Sequence, residues 1–452
     1  MSLEVPEVEE KIGIGVYATK SAGFGGVIRR KPEGFVVEEI LTSGERASVA
    51  PEVRLSRLGR YLVCVLVKRD WDTLLAVKAV AGQLGVSVER VAFAGIKDTR
   101  ALTAQHISLY GVRPEEVASV RIRGVRVVPV RYGNEKVSEL LFGNRFTILI
   151  SLIPAKEDEV EKGLNSTKEE LLALGGAPNF FGHQRFGTVR PVTHLVGKAI
   201  VKGDLEGAVL VFLARSSVYE KPKLREVRDK LFETRNFEEA LAGFPRRFSY
   251  ERLMLKHLVG YPKDFLGAFR RLPLRLRVLF VQAYQSFLFN RSLSERIKRG
   301  VSLSEICVGD FVVALDEHGL PMMNGEVAEA GNVSSLNQAI ADGKACVAVP
   351  LVGFRQSLSE GVEGEIERSV LASDGVSPEN FESSLMPEVS VPGGLRAVLT
   401  PLIDFTADKP VEDAVDSSHS QLRLQFALRK SSYATVVLRE FMKPQNPVEA
   451  GF

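Results

Sequence analysis

The sequence predicts an α+β fold with a largely helical insertion, on three observations. Short apolar and alternating runs fill the first third of the chain, helical periodicity takes over from about Asp204, and strand character returns at Leu422–Leu428. A sheet completed by the C-terminal segment, with a helical unit inserted between its strands, joins these segments most economically. The expected division is residues 1–203 with 403–452 for the sheet-bearing unit and 204–402 for the insertion.

The elements follow in order. Phe35-Val-Val-Glu-Glu-Ile40 reads as a short strand, and the apolar, β-branched run Tyr61–Val67 as a buried one. Asp72 is placed to cap a helix that carries Leu74, Val77, Ala81 and Leu84 on one face, and Gly85 to end it. Val91–Ala94 is the next strand, followed by the loop Gly95-Ile-Lys-Asp-Thr-Arg100 and a strand over Gln105–Tyr110. Arg121, Arg123, Val125 and Val127 alternate as a strand does, and so does Phe146–Leu152. Helices are expected over Lys223–Thr234, Glu251–Leu258 and Leu276–Arg299, the last closed by Gly300. Gly353–Pro392 is acidic, rich in Ser, Gly and Glu, and is expected to be exposed. The chain has no fixed-period repeat, which argues against solenoids and propellers.

Composition bounds the function. With 45% apolar and 25% charged residues the chain of 452 can bury a sizeable core, so wholesale disorder is excluded. The net charge, 59 − 56 = +3, does not by itself identify a polyanion partner, although a local basic groove is compatible with it. Cys64, Cys307 and Cys346 are widely spaced with no CxxC, which argues against a disulfide framework and a cysteine-built zinc site. No apolar run approaches the ~18 residues of a membrane span, and the acidic start lacks signal-peptide order. A soluble, cytoplasmic protein is expected. The six histidines show no metal-ligand spacing, there is no Walker loop, and Gly23-Phe-Gly-Gly26 lacks a strand–helix frame, so no metal, nucleotide or redox cofactor is expected.

Four segments could carry chemistry. In Phe93-Ala-Gly-Ile-Lys-Asp-Thr-Arg-Ala-Leu-Thr-Ala-Gln-His106, Asp98 stands on a loop between Lys97 and Arg100. Neighbouring cations favour an ionised carboxylate, useful as nucleophile or base; a turn aspartate among solvated charges is the plain alternative. Pro178-Asn-Phe-Phe-Gly-His-Gln-Arg-Phe-Gly187 mixes aromatics with amides and cations. That mixture suits stacking a base and reading its edge, or else anchoring a loop into the core. Ala283-Tyr-Gln-Ser-Phe-Leu-Phe-Asn290 is an aromatic stripe at helical spacing, hence core, and upstream Arg270, Arg271, Arg275 and Arg277 offer a phosphate contact or a solvated face. Ser431-Ser-Tyr-Ala-Thr-Val-Val-Leu-Arg-Glu-Phe441 reads as a helix capped by Ser431 or Ser432.

These four segments, in this order, resemble the TruD-type tRNA pseudouridine synthases, more the archaeal and eukaryotic branch than the bacterial one. Weaker matches lie at Arg29–Glu39 and Leu141–Phe146, so the resemblance spans about Gly26 to Phe441. It implies the pseudouridine-synthase catalytic domain around a mixed sheet, with the inserted TRUD domain. It also implies isomerisation of uridine to pseudouridine in tRNA, usually at position 13, by a base-flipping mechanism without a cofactor. Asp98 falls on the catalytic aspartate, Phe35 and Asn179 on substrate-pocket positions, and Phe181 on an aromatic of the second motif. Tyr433 stands where some members have Phe, and Arg29 on a basic pocket position. His183 departs from the small residue expected there. The expected partner is tRNA, with no membrane and no obligatory protein partner. The rival expectation is a catalytically inactive tRNA-binding protein or RNA chaperone of the same fold.

Overall fold

The computed structural model describes residues 4–53, 55 and 59–452. β1 (Phe35–Leu41), β2 (Tyr61–Arg69), β3 (Val91–Phe93), β4 (Leu102–Tyr110), β5 (Val125–Gly133) and β6 (Leu141–Ile153) build one sheet. β7 (Ala177–Pro178) lies outside it. β8 (Phe311–Leu315), β9 (Pro321–Val327), β10 (Ala345–Leu351), β11 (Gly394–Ala397) and β12 (Leu399–Thr400) follow in the middle of the chain. β13 (Ile403–Ala407), β14 (Val411–Glu412) and β15 (Ser420–Arg429) then return to the first sheet. Its order is β13-β15-β6-β1-β4-β2-β5, with β14 on β15 and β3 on β4. β1 and β4 run parallel and the other pairs antiparallel, so the sheet is mixed and the C-terminal strand completes it.

The continuous apolar run of β2 is explained by burial on both faces. Leu62, Cys64 and Leu66 pack with the helix Thr73–Gln83, while Val63, Val65 and Val67 pack with Ala104 and Val130 opposite. Asp72 caps that helix, accepting from the Leu75 N–H at 3.0 Å. The buried face differs from the expected one: it is Thr73, Ala76, Val77, Val80 and Ala81, and Leu74 is exposed. Both stripes have helical spacing. The one centred on the smaller residues wins because alanines let the helix sit close on β2. The helices Glu157–Ala173 and Ala434–Met442 cover β1, β6 and β15 through Val160, Leu164, Leu171, Val437, Leu438 and Phe441.

Between these strands the helices Pro222–Thr234, Ser249–Gly260 and Leu274–Lys298 form as the periodicity predicts, with Gly300 left-handed (φ 69°) after the last. Their core joins Met254, Leu255, Phe280, Tyr284 and Leu288 and reaches back to Val196 and Ile200. One expectation fails here. Gly353–Pro392 is not an exposed stretch: it holds the helix Gly361–Asp374, and Ile366, Val370, Leu371, Phe381, Met386 and Val391 are buried in the same core. Its acidic look misled because Glu363 and Glu367 are themselves buried, bonded to Arg296 (3.0 Å) and to Ser359 (2.7 and 2.9 Å). The middle of the chain is largely helical, as expected, and also carries β11-β10-β8-β9 as a second, antiparallel sheet.

The N-terminal segment ties the two regions together. Asn290 donates to the Ile12 carbonyl (3.0 Å), and Ser294 Oγ donates to that of Gly13 (2.9 Å) and accepts from the Gly15 N–H (3.0 Å). A few residues earlier Glu9 takes Arg439 through Nε (3.0 Å) and Nη2 (2.8 Å), both side chains buried. Burial alone would raise the Glu9 carboxyl, but Arg439, with help from His183, holds it down to about 2. Its folded value lies below the unfolded one. The stabilisation is therefore full above about pH 4.5 and is lost as pH falls toward 2, on the order of 3 kcal/mol in all. In urea melts at stepped pH, wild type should lose stability between pH 4.5 and 2 more steeply than Glu9→Gln; equal slopes would refute the assignment.

Candidate active site

Strand pairing places the Asp98 loop. β3 pairs with the far half of β4 (Val91↔Leu109, Phe93↔Ile107), whereas β4 starts at Leu102 beside Val36 of β1. The chain from Ala94 to Ala101 must cross the end of the sheet between them, and Asp98 emerges next to Phe35, the first residue of β1. The loop is fastened from below. Lys68 Nζ donates to the carbonyls of Asp98 (2.6 Å) and Lys97 (3.3 Å), Thr73 Oγ1 accepts from the Lys97 N–H (3.0 Å), and Gln105 donates to the Gly95 carbonyl (3.0 Å). Burial pushes the Lys68 ammonium down to about 8 against the pull of Asp98 and Asp72.

The cation that meets Asp98 is not its sequence neighbour Lys97. Lys97 turns into the core and pairs with Glu39 at 2.8 Å, both side chains buried. Asp98 Oδ1 instead accepts from Arg29 Nη2 at 2.7 Å. Arg29 Nη1 donates to the Gly451 carbonyl (2.7 Å), and its guanidinium lies over the Phe35 ring at 4.0 Å. Burial lowers the Arg29 pKa while Asp98 opposes the shift; an arginine remains a cation regardless. Arg29 is left-handed (φ 59°), and only a few non-glycine residues share that conformation, Ser431 (φ 68°) beside the same site among them. Each such residue costs about 1–2 kcal/mol.

A cavity of about 350 Å³ opens over this pair, and the structure brings Arg29, Phe35, Asp98 and Tyr433 together around it. Phe146 extends its aromatic floor, 6.4 Å from Phe35 between centroids. Asn179 and Phe181 stand one layer back. The Asn179 carbonyl and Oδ1 accept from Arg396 (3.0 and 2.8 Å), and Nδ2 donates to the Ala397 carbonyl (3.0 Å). Phe181 packs edge-on against Tyr433 at 6.2 Å. Ser431 and Ser432 do not cap the following helix, whose N-cap is Tyr433 with no side-chain bond; the Ser431 carbonyl serves Arg396 instead (2.9 Å). His183 is buried 3.6 Å from Glu9, away from the cavity. Of the arginine cluster, Arg277 is paired with Glu388 and Arg271 bonds His257 (3.3 Å), while Arg270 and Arg275 are exposed.

The sequence reading missed three lining or supporting residues. Asn144 lines the cavity, and its Oδ1 is buried without a hydrogen-bond partner among the described residues; Gln184 lines it too, accepting from Thr435 (3.2 Å). Both sit inside segments already singled out, so their signal was present. Arg396 lies in Gly-Gly-Leu-Arg, which carries no motif. Among the described residues no three His, Cys, Asp or Glu side chains converge as a metal site would, and no helix is long and apolar enough to cross a membrane.

One carboxylate in an aromatic enclosure, with no second carboxylate lining the cavity, is not a glycosidase site, where a paired acid activates water. Residues 11–441 match the family model for tRNA pseudouridine synthase D (TruD), and the chain belongs to that family. It is 40% identical over 451 residues to a Methanosarcina mazei protein named as a tRNA pseudouridine synthase D, covering 99% of this chain and 100% of the relative. A Thermococcus sibiricus protein of the same name is 35% identical, with 94% and 97% covered. A crystal structure of a Methanosarcina mazei TruD superposes with a TM-score of 0.83 at 39% identity, over 99% of this chain and 100% of that one.

The buried Lys97–Glu39 pair gives this loop its test. Glu39→Gln leaves an ammonium buried without its charge partner, which costs about 3–5 kcal/mol. Denaturant unfolding should read that loss, and amide exchange across residues 94–101 should speed up. Unchanged exchange would show that the pair does not hold the loop.

Proposed function

We propose that the protein isomerises uridine to pseudouridine in tRNA, at the position 13 its family usually modifies, with Asp98 as the catalytic carboxylate. The observation that carries this is the Asp98–Arg29 contact of 2.7 Å at the mouth of an aromatic cavity. The reaction breaks the bond from C1′ to uracil N1, turns the base, and joins C1′ to C5; C5 gives up a proton and N1 gains one. No redox partner or co-substrate enters that balance. Asp98 either adds to C1′ or removes the 2′ proton, and Arg29 orients it for either. Phe35, Phe146 and Tyr433 hold the freed ring by stacking and keep water away. Asn144 lines this cavity with its Oδ1 buried and without a partner among the described residues, and its carboxamide matches the N–H and carbonyl edge of uracil. A uridine in a folded tRNA must be flipped out, at a cost of a few kcal/mol offset by pocket and phosphate contacts.

In this reading residues 1–203 with 403–452 form the catalytic unit and 204–402 the TRUD insertion, which grips RNA through exposed cations such as Arg270 and Arg275. The protein acts in the cytoplasm. The oriented, arginine-clamped Asp98 favours the enzyme over an inactive RNA-binding relative.

Asp98→Asn should abolish pseudouridine formation on a tRNA transcript and leave tRNA affinity within a few-fold, since phosphate contacts supply most of the binding. Full activity in that variant would remove Asp98 from its role. Asn144→Ala should lower kcat/KM by roughly tenfold to a hundredfold, as expected for losing one polar reader worth about 1–3 kcal/mol. Steady-state kinetics check it, and an unchanged kcat/KM would take Asn144 out of the uracil site.

A further inference from the structure

On the far side of Tyr433 lies a second cavity that the chemistry above does not use. It encloses about 470 Å³ between the Phe181–Arg185 segment, the helix Leu274–Lys298 and the segment leading into β11. Arg185 and Arg396 line it, and no carboxylate does. Arg396 is only 8% exposed. Its Nε and Nη2 are fixed by the carbonyl and Oδ1 of Asn179 and by the Ser431 carbonyl, while Nη1 has no acceptor among the described residues. Among the described residues Arg185 is steadied only by neutral groups, Ser286 Oγ (3.1 Å) and Gln282 Oε1 (3.5 Å). Both guanidinium groups approach the Phe181 ring, at 3.9 and 5.7 Å from its centroid, so two like charges are gathered at one aromatic.

That arrangement is unfavourable in the protein alone. Burial pushes Arg396 down to about 10, and Arg185 pushes the same way. Elsewhere in this chain the fully buried arginines meet carboxylates: Arg228 has Glu220 and Glu251, Arg296 has Asp310 and Glu363, and Arg439 has Glu9 and Glu440. Arg396 departs from that pattern, and it does so in the lining of a cavity that shares Tyr433 with the Asp98 cavity. Guanidinium forks without internal carboxylates suit a phosphate, which takes parallel N–H bonds from them.

We propose that this second cavity is a phosphodiester subsite, where Arg185 and Arg396 hold the RNA backbone phosphate next to the nucleotide whose base enters the Asp98 cavity. The proposal rests on the reading of that cavity as the uridine site. Tyr433 is the common wall: its ring faces the base on one side, and the backbone passes over it to the two arginines. Asn179 then acts through Arg396, as a positioning residue with both ends of its carboxamide already engaged. The Gln282 Nε2 donor, on the same helix face as Ser286 and exposed Arg275, continues the track outward.

Ethylation interference on a tRNA transcript tests this, with Asp98→Asn protein so that binding is read apart from turnover. Ethylation of one phosphate flanking the target uridine should exclude the RNA from the complex. In Asp98→Asn/Arg185→Gln that exclusion should vanish while interference at other phosphates persists, and the slope of log affinity against log salt should fall by about one. With the active enzyme, Arg185→Gln should raise KM about tenfold, most of the loss falling on KM. Arg185→Lys, which keeps the charge and gives up the fork, should retain the salt slope and lose part of the affinity; it stands in should the glutamine variant unfold. Identical interference patterns in both backgrounds, or a lowered melting temperature with unchanged slope and KM, would overturn the subsite. Failure of the uridine reading looks different: the flanking interference is present, and the wild-type protein forms no pseudouridine.

Discussion

Two buried ammonium groups hold the loop on which the site depends. Lys68 reaches from β2 to the backbone of Asp98 itself, and Lys97 reaches from the loop back to Glu39 on β1. Gln105 adds a bond from β4. Since β1, β4 and β2 are neighbours in the sheet, the register of three strands fixes one carbonyl and therefore one carboxylate. A slip of one residue in β2 would turn Lys68 to the other face and release the loop. The constraint is costly, as the depressed pKa of Lys68 records, and it is met with carbonyls and a single buried carboxylate. Among the described residues Asp98 makes a single ion pair, with Arg29.

That partner is held in turn by the end of the chain. Arg29 spends Nη1 on the Gly451 carbonyl, and the C-terminal helix Ala434–Met442 both starts at Tyr433 and carries Arg439, the anchor of Glu9. The N- and C-terminal segments therefore meet beside the site, through Arg29 on Gly451 and Glu9 on Arg439. The left-handed residues Arg29 and Ser431 sit in these closures, and each uses its strained geometry for a bond: a guanidinium to Asp98 in one case, a carbonyl to Arg396 in the other.

The sheet was legible because its strands carry strong local signals. β2 is a continuous β-branched run and β15 alternates, so both could be read without their partners. The Asp98 loop, Phe35 and Tyr433 were legible through motifs. What could not be read is non-local. Lys97 looked like a solvated neighbour of Asp98, and only the folded β1 supplies the Glu39 that turns it inward. Asn179 looked like a base reader because an amide beside phenylalanines suits that task, yet Arg396, over 200 residues later, occupies its oxygen. The Gly353–Pro392 stretch looked exposed because it is acidic, but its buried glutamates answer to Arg296 and Ser359. Charge and polarity at one position are local facts; whether they face water is decided by a partner elsewhere.

The same principle explains why the net charge of +3 said so little about the partner. In the interior, carboxylates are consumed by arginines in closed sets, Glu220 and Glu251 on Arg228, Asp310 and Glu363 on Arg296, Glu9 and Glu440 on Arg439. Arg190 is a second cation on Glu220 and Glu251, while the other two sets each hold two carboxylates to one arginine, so together they withdraw more acid than base from the sum. Around the two cavities the balance differs: Arg29, Arg185 and Arg396 line them, and Asp98 is the one carboxylate that does. Phe35 lies against Arg29, and Phe181 against Arg396 and Arg185, so apolar rings back these cations on one side and favour a field on the cavity side. A nearly neutral chain can in this way present a strongly positive groove to a polyanion. The sequence sum hides it because the compensating acids are spent on arginines that never meet the substrate.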